Sequence, residues 1–198
     1  EFRLAGAAEP FLAAYRRHNH DVWREFERGE TDQAALRVER FRRLAVELGL
    51  EGLPLEQVSS FYLQALSGQS QLLPGALELV QELAAEYPLA LITNGIASVQ
   101  ERRFAASPIT PFFQAIVISE KVGIAKPDPR IFAPALEKIG VGAGEVLYVG
   151  DSVTSDMAAA RNAGMDFCWL NPGGAPVPEG FAPKYAIRAL CEFPQISA

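Results

Sequence analysis

Soft metal ligands are scarce in this chain: two cysteines and two histidines are all that 198 residues contain. Cys168 and Cys191 have no C-x-x-C spacing and no histidine nearby, which removes the ordinary grounds for a zinc site or a dithiol redox centre. Both are expected to be reduced core thiols. His18 and His20, two positions apart, point to different faces of a helix and so do not form a metal pair. No uninterrupted apolar run approaches the ~20 residues that a membrane-spanning helix needs. The N-terminus lacks a basic region followed by an apolar signal core, so no membrane partner and a cytoplasmic location are the default expectations. Positive charge is also short, with 18 Lys plus Arg against 24 Asp plus Glu and a net charge of -6. That balance argues against nucleic acid and anionic membrane surfaces, although a local basic pocket can still hold a phosphate. The one dense basic run, Arg37, Arg40, Arg42 and Arg43, alternates with Val38, Phe41 and Leu44. It reads as the solvated face of an amphipathic helix, with Glu39 and Glu47 as partners. The expected partner is a small molecule, and nothing in the apolar pattern chooses between monomer and homodimer.

A hydrophobic share of 49% and a charged share of 21% are those of an ordinary globular protein, and the length suits one principal domain plus a smaller lobe. From Pro10 to about Leu66 apolar residues recur at helical spacing, as in Phe11, Leu12, Tyr15, then Val22, Trp23, Phe26. Thr31 reads as the N-cap of a helix whose buried stripe is Val38, Phe41, Ala45 and Leu48, and Glu56 to Leu66 predicts another short helix. Beyond Leu72 helices alternate with short apolar strands at 90–92, 115–118, 146–149 and 167–170. Such alternation predicts βαβ units. The expected fold class is therefore α/β, a doubly wound parallel Rossmann-like sheet over 72–198 with a helical lobe over 1–71.

Three strand tips carry chemistry. The apolar run Val146–Val149 breaks into Gly150-Asp151 and, five positions on, Asp156. At the carboxyl edge of an open parallel sheet, two carboxylates so spaced suit a hard cation, although each alone could merely cap the following helix. Leu89–Ile92 runs into Thr93-Asn94-Gly95, where a hydroxyl and loop N–H groups offer uncharged donors to an oxyanion, and which is also a good turn sequence. In Gly123–Phe132 the prolines 127 and 129 restrict the backbone around Lys126 and aim its ammonium consistently. Asp128 and Arg130 read as cap and surface groups.

These pieces, in this order, resemble the haloacid dehalogenase-like hydrolase superfamily: Thr93-Asn94-Gly95 as its second motif, Lys126-Pro127 as its third and Gly150-Asp151 to Asp156 as its fourth. Trp23 with 29–31, Leu72–Gly75, Leu91–Gly95, Val117–Glu120 and Cys168–Asn171 look most like its house-cleaning pyrimidine 5'-nucleotidase branch. The resemblance implies an inserted cap of the four-helix type before about residue 72. It also implies a Mg²⁺-dependent phosphatase that works through an aspartyl-phosphate on a small phosphorylated metabolite. Asp151 would ligate the metal, Asp156 would ligate it or fix its water shell, Lys126 would orient the nucleophile and offset phosphate charge, and Thr93 with the Asn94 backbone would hold phosphoryl oxygens. One part is missing. The family's first motif, an apolar strand ending in Asp-x-Asp-x-Thr, has no counterpart; the chain opens Glu1-Phe2-Arg3-Leu4-Ala5-Gly6 and passes into helices, while Asp21 and Asp32 lie in helical surroundings. An N-terminal segment supplying the nucleophile and the central strand is therefore expected to be lacking from the sequence or to be supplied in some other way, and the 198 residues alone are expected to be inactive. The competing readings are a 2-haloacid dehalogenase, whose fourth motif has neutral residues where Asp151 stands, and a non-catalytic binding or scaffold module.

Overall fold

The helical periodicity of the first third becomes three helices, α1 (Ala8–Glu27), α2 (Gln33–Glu47) and α3 (Leu55–Ser67). The computed structural model describes residues 8–195, so the opening stretch Glu1–Gly6 lies outside it. Two units divide the chain, Glu1–Leu66 and Ser67–Ala198, which sends the polar stretch 67–71 with the second.

In the first unit α1 packs on α2 around Val22 and Leu36, both 0% exposed, with Ala14, Phe41 and Leu44 beside them. The rings of Tyr15, Phe41 and Tyr62 meet at centroid distances of 5.4–5.8 Å. Each large side chain buried in this way contributes roughly 1.5–3 kcal/mol. Three details depart from expectation. The cap of α2 is Asp32, not Thr31: Asp32 holds the extended backbone, and its Oδ1 accepts from the Ala35 N–H at 2.7 Å. The buried stripe runs Leu36, Arg40, Phe41, Leu44, Ala45, with Val38 and Leu48 only half-buried. Arg40 is not on a solvated face; it is 3% exposed, its guanidinium donates to the Leu36 carbonyl and to Asn19 Oδ1, and it lies 5.9 Å from the ring centres of Trp23 and Tyr62. A long stem that matches apolar neighbours, with carbonyl acceptors at its head, lets an arginine occupy a core position. Arg42 and Arg43 do pair with Glu39, whereas Glu47 binds Arg17 and His18 instead.

The second unit opens with α4 (Ala76–Glu86) and continues β1 (Leu89–Thr93), α5 (Ala97–Ala106), β2 (Phe113–Ile118), α6 (Ser119–Val122), α7 (Ala133–Ile139), β3 (Leu147–Gly150), α8 (Ala158–Ala163), β4 (Asp166–Leu170) and β5 (Tyr185–Ile187). All strand pairs are parallel, and hydrogen bonding groups them as β1–β2 and β3–β4–β5. One apolar core nevertheless serves both groups: Ala115 and Val117 from β2, Phe167 and Trp169 from β4, and Ile131, Phe132, Met157 and Ala159 from the helical layers. Among the described residues β1 and β3 each have a strand on one side only. Leu147 and Val149 on β3 stay 36% and 38% exposed, so this strand is not enclosed as an inner parallel strand usually is.

The cysteines separate. Cys168 is a core thiol at 0% exposure, and burial pushes its pKa up to about 11, but Cys191 is exposed and not the core thiol expected. Because only the thiolate reacts readily, Ellman's reagent at neutral pH is expected to titrate Cys191 in the native chain and Cys168 only after unfolding. Two fast thiols in the native protein would contradict the burial of Cys168.

Candidate functional site

Lys126 enters the core from the loop after α6 and is 7% exposed. Its ammonium donates to Asp156 Oδ1 at 2.7 Å, to Tyr148 Oη at 3.1 Å and to the Ile92 carbonyl at 3.3 Å. One lysine thus touches β1, β3 and the turn after β3. Its backbone is held as firmly: the Asn94 side chain accepts from the Lys126 N–H and donates to the Lys126 carbonyl, both at 2.8 Å, and lies 3.4 Å from Ser155 Oγ. This amide clamp joins the second and third motifs, a role for Asn94 that its spacing did not disclose.

Asp156 belongs to a π-helical turn, Val153–Met157, that precedes α8 rather than to an ordinary first turn. Ser152 starts it, accepting from the Ser155 N–H at 3.1 Å. The wide turn swings Asp156 back beneath β3, where Oδ2 accepts from the N–H groups of Asp151 and Ser152 at 3.2 and 3.0 Å, and Oδ1 takes Lys126 and the Tyr148 hydroxyl, the latter at 3.1 Å. Space for this comes from Gly150, because a Cβ there would stand 2.5 Å from the Asp156 carboxyl carbon. A carboxylate so buried is tolerable only with a cation and several donors, and it has both. The Tyr148 hydroxyl, enclosed and next to this negative charge, has its pKa driven well above the phenol range.

Asp151 is the contrast. Its side chain is exposed at the tip of β3, and its carbonyl is pinned by the Trp169 indole N–H at 3.0 Å. At the end of β1, Thr93 Oγ1 accepts from Gln100 Nε2 at 3.0 Å, a contact that requires glycine at 95 because a Cβ there would overlap Gln100. With one lone pair so used, the Thr93 hydroxyl proton is left to donate elsewhere. Asn94, Lys126 and Asp156 therefore form a hydrogen-bonded set, which Asp151 joins through the Asp156 hydrogen bond to its backbone, while Thr93 adjoins it only as the chain neighbour of Asn94.

Among the described residues no group of three or more acidic, histidine or cysteine side chains converges as a complete metal cage. The donors present still suit one kind of ion. Asp156 has both oxygens committed, whereas Asp151 offers a free hard-oxygen ligand, and Mg²⁺ is commonly held by one or two carboxylates with water and substrate phosphate completing its shell. Sequence reading missed Tyr148, Ser155, Gln100 and the need for glycine at 150. The one available signal was a phenol inside an otherwise apolar strand, since a buried tyrosine hydroxyl wants a partner.

A family model described as haloacid dehalogenase-like hydrolase matches residues 3–164. Pyrimidine 5'-nucleotidase YjjG of Escherichia coli is 32% identical over 197 residues, 99% of this chain and 86% of that protein. Pyrimidine 5'-nucleotidase PynA of Streptococcus pneumoniae is 35% identical over 158 residues, 78% of this chain and 65% of that protein. The crystal structure of the Bacillus subtilis HAD-hydrolase YfnB, bound to magnesium, superposes with a TM-score of 0.88 at 33% identity, covering 96% of this chain and 83% of that one.

Proposed function

The chain belongs to the haloacid dehalogenase-like hydrolases, and from that membership we propose that it hydrolyses small phosphate monoesters, nucleoside 5'-monophosphates first among them. The proposed route uses Mg²⁺ and an aspartyl-phosphate. The observation that carries this reading is the free carboxylate of Asp151 at a strand tip beside the neutralised Lys126–Asp156 pair. A dehalogenase that works without metal has no use for that carboxylate, and a scaffold gains nothing from a buried charge network. Kinship with YjjG and PynA supports a nucleotide substrate, and the magnesium in the YfnB crystal supports the ion.

Each residue has a task its surroundings favour. Thr93 donates its hydroxyl proton, and the Asn94 backbone its N–H, to phosphoryl oxygens. Lys126 offsets phosphate charge from a position fixed at both its backbone and its ammonium. Asp151 is the direct Mg²⁺ ligand; Asp156 serves the same site by fixing the Asp151 backbone and the lysine, and a direct bond to the ion would cost it one of its present partners. Bound Mg²⁺ would neutralise charge on the equatorial oxygens of the transferring group. The nucleophile of this route is the first aspartate of an Asp-x-Asp strand tip, a sequence that the 198 residues do not contain.

The test uses the full-length gene product with p-nitrophenyl phosphate and nucleoside monophosphates. Turnover is expected to vanish in EDTA and return with Mg²⁺. Asp151→Asn is expected to lower it by about 10²–10³-fold. Being exposed, the substitution should alter stability by no more than about 0.5 kcal/mol. Undiminished hydrolysis in chelator would sink the metal assignment, and metal-independent chloride release from 2-chloropropionate would favour the dehalogenase.

A further inference from the structure

Lys126, Tyr148 and Asp156 close a ring of hydrogen bonds: the ammonium donates to the phenol oxygen at 3.1 Å, the phenol donates to Asp156 Oδ1 at 3.1 Å, and the ammonium reaches the same Oδ1 at 2.7 Å. We propose that the Tyr148 hydroxyl is a positioning residue for Lys126, holding its ammonium beneath the strand tips, where its charge serves the phosphate while its N–H groups stay with Asp156, Tyr148 and Ile92. The inference rests on Lys126 being the cation that serves the phosphate.

The three acceptors of the ammonium differ in rigidity. Ile92 offers the longest bond, at 3.3 Å, and Asp156 sits on a π-helical turn. Tyr148 is anchored by its strand and by ring contacts with Phe132 and Phe167, at centroid distances of 5.0 and 6.0 Å. Its oxygen is therefore a fixed acceptor for the ammonium. A phenol has one proton to donate, which goes to Asp156, while a lone pair faces the lysine. Tyr148→Phe keeps the ring that packs against Phe132 and Phe167 and removes only the oxygen. Without the hydroxyl one ammonium N–H is left buried and unpaired, a state that a flexible four-carbon stem escapes by turning outward.

The test is Tyr148→Phe. In the 198-residue chain, acetylation by sulfo-N-hydroxysuccinimide acetate is followed by mass spectrometry, with the exposed Lys121, Lys138 and Lys184 as internal references. Lys126 is expected to label about five- to tenfold faster in the variant, the factor that one lost hydrogen bond represents. Phe167→Leu disturbs the same ring cluster without touching the hydroxyl and is expected to leave Lys126 protected. In the full-length gene product Tyr148→Phe should lower kcat by a similar factor and change KM less than about twofold. Unchanged labelling in Tyr148→Phe, or equal labelling in Phe167→Leu, overturns the proposal. Faster labelling with unchanged kcat upholds the positioning and instead overturns the catalytic use of Lys126.

Discussion

Lys126→Met is expected to destabilise the chain by about 3–5 kcal/mol, the cost of leaving one member of a buried ion pair without the other. The side chains of Lys126 and Asp156 are only 9% and 7% exposed, so solvent gives the stranded carboxylate little help. Methionine keeps most of the stem volume, which separates the loss of charge from the loss of packing. Urea denaturation of Lys126→Met, Asp156→Asn and the double variant would measure the coupling. The double variant should be less destabilised than the sum of the singles, by at least about 2 kcal/mol, because it strands no charge. A single-variant cost under about 1 kcal/mol would mean that the pair is solvated. In the full-length gene product the same change should also remove about 10²–10³-fold of turnover, as loss of one oriented charge beside a phosphoryl group does.

The second large effect comes from one methyl group. Gly150 does not have positive φ, so alanine can adopt its backbone conformation, but the new Cβ would stand 2.5 Å from both Cγ and Oδ2 of Asp156. Something must shift, and backbone on both sides restricts what can. Overpacking of this kind costs about 1–3 kcal/mol. Displacing Asp156 also weakens its bonds to Lys126, Tyr148 and two N–H groups, so the expected loss lies at the upper end of that range or beyond. Gly144→Ala is the control, since its φ is not positive and nothing lies within 4 Å of its Cβ position. Thermal melts should separate the two variants by several degrees. Equal melting temperatures would show that Asp156 is not seated against Gly150.

The contrast between Asp151 and Asp156 marks how far the sequence could be read. Apolar runs placed four strands to within a few residues, since hydrophobicity and punctuation are local properties. The fifth, Tyr185–Ile187, is three residues long and carries too little pattern to register. Spacing of five between two carboxylates suggested a pair of ligands. Which of them faces outward depends on a π-helical turn and on a missing Cβ at 150, and neither follows from periodicity. Arg40 was misplaced for a related reason: a charge on a helix predicts exposure unless acceptors wait at the end of its stem, and here those acceptors are the carbonyl of Leu36 and the amide of Asn19. Among the described residues β1 and β3, which end in the second and fourth motifs, do not pair with each other, and local hydrophobicity does not disclose which strands pair.

The grip on Asn94 has a chemical consequence over time. Asparagine followed by glycine, as at 94 and 95, is the pairing most prone in open chain to cyclise into a succinimide and age into aspartate. Tethering the amide to the loop of Lys126 restricts the rotation that ring closure needs and so is expected to slow that decay. Should conversion occur, the new carboxylate would confront the Lys126 carbonyl oxygen with no hydrogen to offer. Old preparations would then lose the join between two strand tips while their sequence, read from the gene, looked intact.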